Sequence, residues 1–198
     1  LNGVKLVQDL DYSVTYLSNK NVGTAKVVIC GKGVYTNSLT KTFTIRPETM
    51  ASAVITGCKA KYSYTGKQVK PLIQVVWNGK ILRNNTDYTL LYKNNKKRGS
   101  AGIVVTGKGN YSGTLTASFT IVRASVKKAS VTGLKAVYAR TGKAVKPKVT
   151  VKLGGKKLKK KRDYILSYRK NKKKGTALLY VKGVGNYSGT KKMKFKIR

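Results

Sequence analysis

The chain has 198 residues, of which 43 are Lys or Arg, five are Asp or Glu and none is His, giving a formal net charge of +38 at pH 7. Such a composition lacks the histidines and carboxylates on which almost every general acid–base mechanism relies, so we expect no enzymatic activity. The few carboxylates and the two cysteines also predict no metal site and no cofactor. No apolar stretch is long enough to span a bilayer.

An internal repeat with a period of 76 residues organises the sequence. Its clearest marker is an Asp-Tyr pair, which starts at Asp11, Asp87 and Asp163. The same spacing relates further glycine, aromatic and isoleucine positions: Gly23, Gly31, Gly33, Tyr35, Phe43 and Ile45 recur as Gly99, Gly107, Gly109, Tyr111, Phe119 and Ile121, and again as Gly175, Gly183, Gly185, Tyr187, Phe195 and Ile197. The chain therefore contains three copies of one folding unit.

The copies are predicted to occupy residues 1–46, 49–123 and 125–198. The first copy is truncated, because Leu1-Asn2-Gly3 aligns with Trp77-Asn78-Gly79 and the opening strands of a unit have no counterpart before it. We therefore expect the chain to be part of a longer protein, while the last copy stops where the first copy's terminal strand stops, as a natural end would. The joins at residues 46–48 and 123–125 are short, which predicts limited bending between copies.

Alternation of apolar and polar residues predicts strands throughout the chain. It runs through Ala25-Val27-Ile29, Ala101-Ile103-Val105, Val149-Val151-Leu153 and Ala177-Leu179-Val181, and it is strict over residues 192–198. Turn residues such as Asn78-Gly79, Gly154-Gly155 and Thr65-Gly66-Lys67 separate these stretches. Six or seven short strands per copy predict an all-β fold of tandem immunoglobulin-like β-sandwiches. A β-grasp variant is the alternative, but no segment has the spacing of its crossing helix.

Recurring tyrosines and aspartates have structural interpretations. We expect Tyr12, Tyr16, Tyr35 and their equivalents to pack in the core with hydroxyls bonded to the backbone, with stacking on sugars as the alternative. The aspartate before each Asp-Tyr tyrosine is expected to accept backbone N–H bonds in a turn. Cys30 falls at an outward position and Cys58 at an apolar one, so no disulfide between them is expected.

The repeat as a whole resembles a known family. The residues that carry the resemblance are Thr-Gly-Lys-Ala-Val-Lys-Pro at 141–147, Asp163-Tyr164, Asn171, Gly175-Thr176-Ala177 and the run from Gly183 to Thr190. They resemble the tandem immunoglobulin-like and MBG-type repeats in very long surface proteins of Gram-positive, Firmicutes-type gut and rumen bacteria. The resemblance covers all three copies and implies a stalk, spacer, adhesive module or envelope-associated tail, without catalytic residues. The position before Asp163, often glycine in that family, is here Arg162 within a basic run.

Positive charge increases along the chain. Residues 1–48, 49–123 and 124–198 contain six, twelve and 25 Lys plus Arg against three, one and one acids. Because the residues that define the fold are shared by the copies, this gradient is a property of the surface rather than a requirement of the fold. Like charges at this density repel each other, which favours an anionic partner. Lysine-rich surfaces also raise solubility and blunt sheet edges, and that remains the alternative interpretation.

Cations of the last copy are concentrated in three places: a hairpin, a turn and the outer face of the final strand. These candidate polyanion-binding residues are Lys156, Lys157, Lys159, Lys160, Lys161 and Arg162 in the hairpin, Arg169, Lys170, Lys172, Lys173 and Lys174 in the turn, and Lys192, Lys194, Lys196 and Arg198 in the strand. The expectation is that loops and one sheet face form a continuous basic surface.

Three functions fit this pattern. The first is a non-catalytic extracellular module, located at the cell surface or cell wall, that spaces a larger protein and attaches through its last copy to anionic wall polymer, teichoic acid or peptidoglycan. The second is an adhesin or carbohydrate-binding module for host or dietary glycans. The third is nonspecific nucleic-acid binding, which is disfavoured because lysines outnumber arginines 35 to 8 and base reading relies on arginine.

Overall fold

The computed structural model describes residues 3–198, so the predicted alignment of Leu1 and Asn2 lies outside the described residues. The first copy contains β1 (Tyr12–Leu17), β2 (Gly23–Gly31) and β3 (Ser38–Ile45). The second contains β4 (Glu48–Thr49), β5 (Val54–Thr56), β6 (Lys61–Ser63), β7 (Gln74–Trp77), β8 (Lys80–Leu82), β9 (Tyr88–Lys93), β10 (Gly99–Gly107), β11 (Tyr111–Ser112) and β12 (Thr114–Val122).

The third copy contains β13 (Ala124–Ser125), β14 (Ser130–Thr132), β15 (Val137–Tyr138), β16 (Thr150–Leu153), β17 (Lys156–Lys157), β18 (Tyr164–Arg169), β19 (Gly175–Gly183), β20 (Tyr187–Ser188) and β21 (Thr190–Ile197). A 3-10 helix at Val126–Lys128 is the sole helical element of residues 3–198. The predicted all-β class is therefore confirmed, and no crossing helix of a β-grasp unit occurs in this range.

Two compact units make up the chain. One comprises the residues up to Gly57 with Ile73–Leu91 and Ile103–Ala117, and the other comprises Cys58–Leu72, Tyr92–Gly102 and Ser118–Arg198. The middle copy thus contributes residues to both units. The copy boundaries near residues 46–49 and 123–125 stay a prediction from sequence.

Within the second unit, the third copy is a sandwich of two sheets, with strand orders β14-β16-β17 and β15-β21-β19-β18. One apolar cluster joins Val151 of the first sheet to Tyr164 and Val181 of the second. A second cluster contains Leu179 and Phe195. These seven strands, together with the two-residue pair β13–β20, form the predicted immunoglobulin-like sandwich. The middle copy repeats both sheets, in the orders β5-β7-β8 and β6-β12-β10-β9.

Strand β21 shows why the sequence adopts this fold. Phe195 and Ile197 are buried, whereas Lys194 and Lys196, which alternate with them, are exposed. Alternation of this kind places one set of side chains on the core face and the other in solvent. Burial of each large apolar side chain contributes about 1.5–3 kcal/mol. The predicted period-two strand is confirmed.

Tyrosines of the two complete copies occupy the core, as predicted. Tyr88, Tyr111, Tyr164 and Tyr187 are all buried, and the Tyr168 hydroxyl donates to the carbonyl oxygen of Pro147 at 2.8 Å. The prediction is wrong for Tyr16, which is 56% exposed. Its equivalent Tyr168 packs with Tyr138 and Val145 against the cluster of Leu179 and Phe195, and the first-copy positions that match Tyr138 and Val145 would precede Leu1.

Glycine at the position shared by Gly31, Gly107 and Gly183 is required by close approach of the backbone. A Cβ atom on Gly183 would lie 2.7 Å from the backbone nitrogen of Ser188. The loop from β19 through β20, closed by the Gly183 N–H donating to the Gly189 carbonyl oxygen at 2.9 Å, therefore forms only because this position lacks a side chain.

We expect Gly183→Ala to lower the free energy of unfolding by about 1–3 kcal/mol, because the added methyl group meets rigid backbone. Chemical denaturation followed by far-UV circular dichroism measures the change. Lys182→Ala, at the exposed neighbouring position, is the control and should shift stability by no more than about 0.5 kcal/mol. Equal stability of the two variants would contradict the packing argument.

Candidate polyanion-binding surface

One carboxylate per copy holds the turn before the Asp-Tyr tyrosine. Asp11, Asp87 and Asp163 each accept a 2.8 Å hydrogen bond through Oδ2 from the backbone N–H four residues earlier. Asp87 and Asp163 are buried. The predicted structural role of these aspartates is confirmed. Asp163, the one acid of the third copy, makes its contacts inside the fold.

Arg162 is the cation that neutralises this acid. Its Nε and Nη2 atoms donate to the two Asp163 oxygens at 2.9 and 2.8 Å. These bonds, with the bond from the Lys159 N–H, hold the pKa of Asp163 below its usual value although burial opposes the shift. Within residues 3–198 the ion pairs are Arg162–Asp163 and Arg83–Asp87. The other cations of the third copy have no carboxylate partner in this range.

The candidate hairpin residues lie at the start of β18. Lys156 and Lys157 form β17, and Lys159–Arg162 form the turn that leads into Tyr164. We name these six cations the basic turn. The Lys156 ammonium lies 5.9 Å from the centroid of the Tyr64 ring, which itself packs edge-on against Tyr187.

A cleft of about 820 Å³ opens beside the basic turn. Five lysines line it together with Tyr164 and Tyr168, and its apolar lining includes Leu158 and Leu166. These lysines are Lys146, Lys148, Lys157, Lys159 and Lys160. The equivalent positions of the middle copy are Lys70, Leu72, Ile81, Arg83 and Asn84. Relative to the middle copy, lysine therefore replaces two apolar side chains and an amide in the third copy.

The remaining candidates gather at the far end of β18. The β18–β19 connection carries Lys170 and Lys172–Lys174, and Gly175 after it pairs with Ile197 of β21. On the outer face, Leu178 pairs with Arg169 on one side and with Lys194 on the other. Strand spacing of about 4.8 Å puts these two cations roughly 10 Å apart. The nine candidates from Arg169 to Arg198 therefore form one surface, which we name the basic face.

All fifteen candidate cations are exposed, but they form two regions rather than one. The basic turn precedes Tyr164 and the basic face begins at Arg169, at opposite ends of a strand that spans roughly 17 Å. Lys182, which the sequence interpretation did not include, pairs with Ile165 and points outward between the two regions. The sequence pattern indicates this orientation, because Ala177, Leu179 and Val181 alternate as inward positions and Lys182 therefore points outward.

An aromatic ring accompanies the basic face. Tyr180 is half-buried on the outer side of β19, where it pairs with Lys192. The Arg169 guanidinium lies 5.7 Å from the centroid of its ring, a distance at which cation–π attraction holds the guanidinium in place. The sequence interpretation left Tyr180 out because its ring lies at an outward position that has no aromatic equivalent in the other copies.

Two cations of the site occupy strained backbone positions. Lys161 and Lys170 have φ of 69° and 55°. The middle copy has Asn85 and Asn94 at the same positions, with φ of 67° and 54°. Asparagine tolerates this left-handed conformation, whereas other residues with a Cβ adopt it at a cost of about 1–2 kcal/mol. Lysine at these positions is therefore not explained by local folding.

Residues 3–198 contain no group of three His, Cys, Asp or Glu side chains placed to hold a metal ion. The one helical element of this part of the chain, Val126–Lys128, is too short to cross a membrane. Cys30 is an exposed free thiol and Cys58 a half-buried one.

Comparison with known proteins gives little direct guidance. Neither a family model nor a curated protein matches the chain. Among solved structures, the chain is similar to the "Protocadherin gammaB7 EC3-6 cis-dimer structure" at 12% identity and a TM-score of 0.21. The match covers 88% of this chain, which spans 57% of that one. Its own strand pairing shows that the protein is a tandem array of immunoglobulin-like β-sandwich repeats.

Stability of the third copy should fall in acid because of Asp163. Its folded pKa lies below the unfolded value of about 3.9, so its contribution is complete above that pH and is lost as pH falls through the folded pKa. Asp163→Asn should lower the unfolding free energy at pH 7 by about 1.5–3 kcal/mol. It should also flatten the decline in stability below about pH 4, the unfolded pKa of an aspartate.

Denaturant unfolding at a series of pH values measures both effects. Asp9→Asn is the matched control, because Asp9 is exposed and already adopts a φ of 69° that asparagine tolerates. An acid decline as steep in Asp163→Asn as in the parent chain would exclude the buried carboxylate as its source.

Proposed function

We propose that this chain is a non-catalytic extracellular module of a bacterial surface protein, in which the repeats act as a spacer and the third copy attaches to anionic cell-wall polymer. The proposal rests on one observation: the contacts made by the one acid of the third copy. Asp163 is buried and paired with Arg162, so a surface with a net charge of +24 has no internal counterion. An external polyanion supplies that counterion.

Lysine at strained positions supports selection for charge. The fold accepts asparagine at the positions of Lys161 and Lys170, as the middle copy shows. If lysine served only to raise solubility, it could occupy many positions without backbone strain. The strain at Lys161 and Lys170 is offset by a gain in polyanion binding.

Spacing of the two basic regions favours a polymer over a small anion. The basic turn and the basic face lie at opposite ends of β18, roughly 17 Å apart. A single phosphate or carboxylate occupies one of them, whereas an extended chain of repeated charges contacts both. Teichoic acid, with its phosphate repeats, and peptidoglycan, with its carboxylates, both have this character. The resemblance to Gram-positive surface repeats makes them the nearest abundant polyanions.

A glycan-binding module is the second candidate, supported by Tyr164 and Tyr168 in the lysine-lined cleft. Against it, the Tyr168 hydroxyl is already bonded to Pro147. Neutral glycan binding that persists in high salt would favour this candidate. Preference for a DNA duplex over wall polymer of matched charge would favour nucleic acid.

The copies themselves provide matched variants for the binding test. Lys192, Lys194 and Lys196 correspond to Thr116, Ser118 and Thr120 in the middle copy. The loss variant is Lys192→Thr, Lys194→Ser, Lys196→Thr, and the gain variant is Thr116→Lys, Ser118→Lys, Thr120→Lys. Each exchange uses residues that the same strand position already accepts.

We expect the full chain to bind purified poly(glycerol phosphate) with an affinity that falls steeply as NaCl increases. The loss variant should reduce the slope of log K against log salt by roughly two, because three counterion contacts disappear. The gain variant should strengthen binding. Biolayer interferometry over a salt series measures both. Affinity unaffected by salt, or by removal of the three lysines, would refute attachment by charge.

Stability and binding should change in opposite directions at the strained lysines. We expect Lys161→Asn with Lys170→Asn to raise the free energy of unfolding by about 1 kcal/mol or more, since asparagine relieves the backbone cost. The same variant should bind poly(glycerol phosphate) more weakly. Lys157→Asn, at an exposed β position with ordinary φ, should weaken binding without the gain in stability. A strained-site variant that loses stability contradicts the argument.

A further inference from the structure

Strand β18 is an open edge of its sheet. The order β15-β21-β19-β18 leaves β18 at the end, where it is paired with β19 on one side. The Asp163 carbonyl oxygen accepts a 3.0 Å hydrogen bond from the Val184 N–H, which follows β19. The Tyr164 carbonyl oxygen instead accepts a 2.7 Å hydrogen bond from the Lys161 N–H of the preceding turn. Successive backbone groups therefore alternate between β19 and the open side, as in any antiparallel strand.

Leu166 and Tyr168 present their backbone groups at this open side. They follow Tyr164 by two and four residues, so their N–H and C=O groups point away from β19 as well. Within residues 3–198, no second strand bonds to these groups. A sheet edge with unpaired backbone groups can accept a further strand.

The cleft of about 820 Å³ beside the basic turn adjoins the same residues. Tyr164, Leu166 and Tyr168 are the β18 residues that line it. Tyr164 is buried, and Leu166 packs against both apolar clusters of the third copy. Side chains of an added strand would alternate between the two faces of the sheet. The cleft therefore offers apolar contacts to every second side chain of a strand added beside β18.

Charge around the cleft determines which strand fits. The five cleft lysines are all exposed, and the one acid of the third copy, Asp163, is buried and paired with Arg162. Lysines near a sheet edge discourage pairing with strands of like charge. The same lysines attract a strand that carries carboxylates. An acidic strand is therefore complementary to this edge in charge as well as in hydrogen bonding.

We propose that the open edge of β18 binds an extended acidic peptide as an additional strand. The peptide backbone pairs with Leu166 and Tyr168, its apolar side chains enter the cleft beside Leu166, and its carboxylates contact the cleft lysines. Main-chain hydrogen bonds give such strand addition its affinity, and alternate side chains give it specificity. The inference goes beyond attachment to wall polymer, because a polyphosphate has no N–H groups for the edge carbonyls.

A second copy of this chain is a poor occupant of the edge. Each chain has a net charge of +38, and pairing two β18 edges would bring two sets of cleft lysines together. Like charges at that separation oppose association. The occupant is therefore a different, acidic chain.

The test uses the full chain and the fluorescein-labelled peptide Glu-Val-Glu-Val-Glu-Val-Glu. Fluorescence polarisation should show saturable binding. Hydrogen exchange followed by NMR should show at least about tenfold slower exchange of the Leu166 and Tyr168 amides, because strand pairing protects them. The amides of Ile165 and Ser167 point to β19 and should change little.

Matched variants separate the edge from the basic face. Lys148→Leu with Lys157→Ile and Lys160→Asn installs the residues of the middle copy and should weaken peptide binding about tenfold, as expected for three exposed charge contacts. The loss variant at Lys192, Lys194 and Lys196 removes the same charge from the basic face and should weaken it by less than about threefold. Near-UV circular dichroism compares the fold of each variant with that of the parent.

Two N-methylated peptides separate backbone pairing from charge. One is methylated at the valine nitrogens and the other at the glutamate nitrogens. One edge of the peptide pairs with β18, so one of the two forms should lose at least about tenfold in affinity while the other keeps most of it.

Four results would overturn the proposal. They are absence of binding, binding without added protection of the Leu166 and Tyr168 amides, equal affinity of both N-methylated forms and the parent peptide, and equal weakening by the two lysine variants. Equal protection of the same two amides by poly(glycerol phosphate) would assign the edge to the polymer instead.

Discussion

A carboxylate at the start of one strand is the interaction on which each repeat depends, and it is buried in the second and third copies. In the third copy, Asp163 accepts the Lys159 N–H, pairs with Arg162 and so fixes the turn that leads Tyr164 into the core. It also satisfies a backbone donor that would otherwise be unpaired. Because this is the one acid of that copy, the fold uses the whole negative charge internally. The other cations of that copy have no carboxylate partner within it, which is the basis of the proposed binding to an external polyanion.

Fold and surface vary independently in this protein. The last two inward side chains of the terminal strand are apolar in every copy, a phenylalanine (Phe43, Phe119, Phe195) followed by an isoleucine, while the outward ones change from threonine and serine to lysine. Strand alternation permits this, since the two sets of side chains contact different surroundings. One scaffold therefore carries a weakly charged surface in one copy and a strongly cationic surface in another.

Much of the fold was predictable from the sequence, because strands and turns leave patterns within short stretches of residues. Period-two patterning located β2, β10, β19 and β21, and the Asp-Tyr pair indicated the turn. The parallel pairing of β15 with β21 was not predictable, because two residues have no pattern of their own and their partner lies 59 residues away. Lys146 and Lys148 were not predicted as part of the site for the same reason: no local pattern indicates that they line the cleft beside β18. The separation of the basic turn from the basic face depends on which end of β18 each adjoins, which composition does not reveal.

The central claim is that charge in the third copy meets an external polyanion. Lysine acetylation of the full chain, with and without poly(glycerol phosphate) and mapped by mass spectrometry, tests it most directly. The account predicts protection of Lys172, Lys194 and the cleft lysines, while Lys26 and Lys41 of the first copy stay reactive. Protection spread evenly over all copies, or none at all, would contradict it.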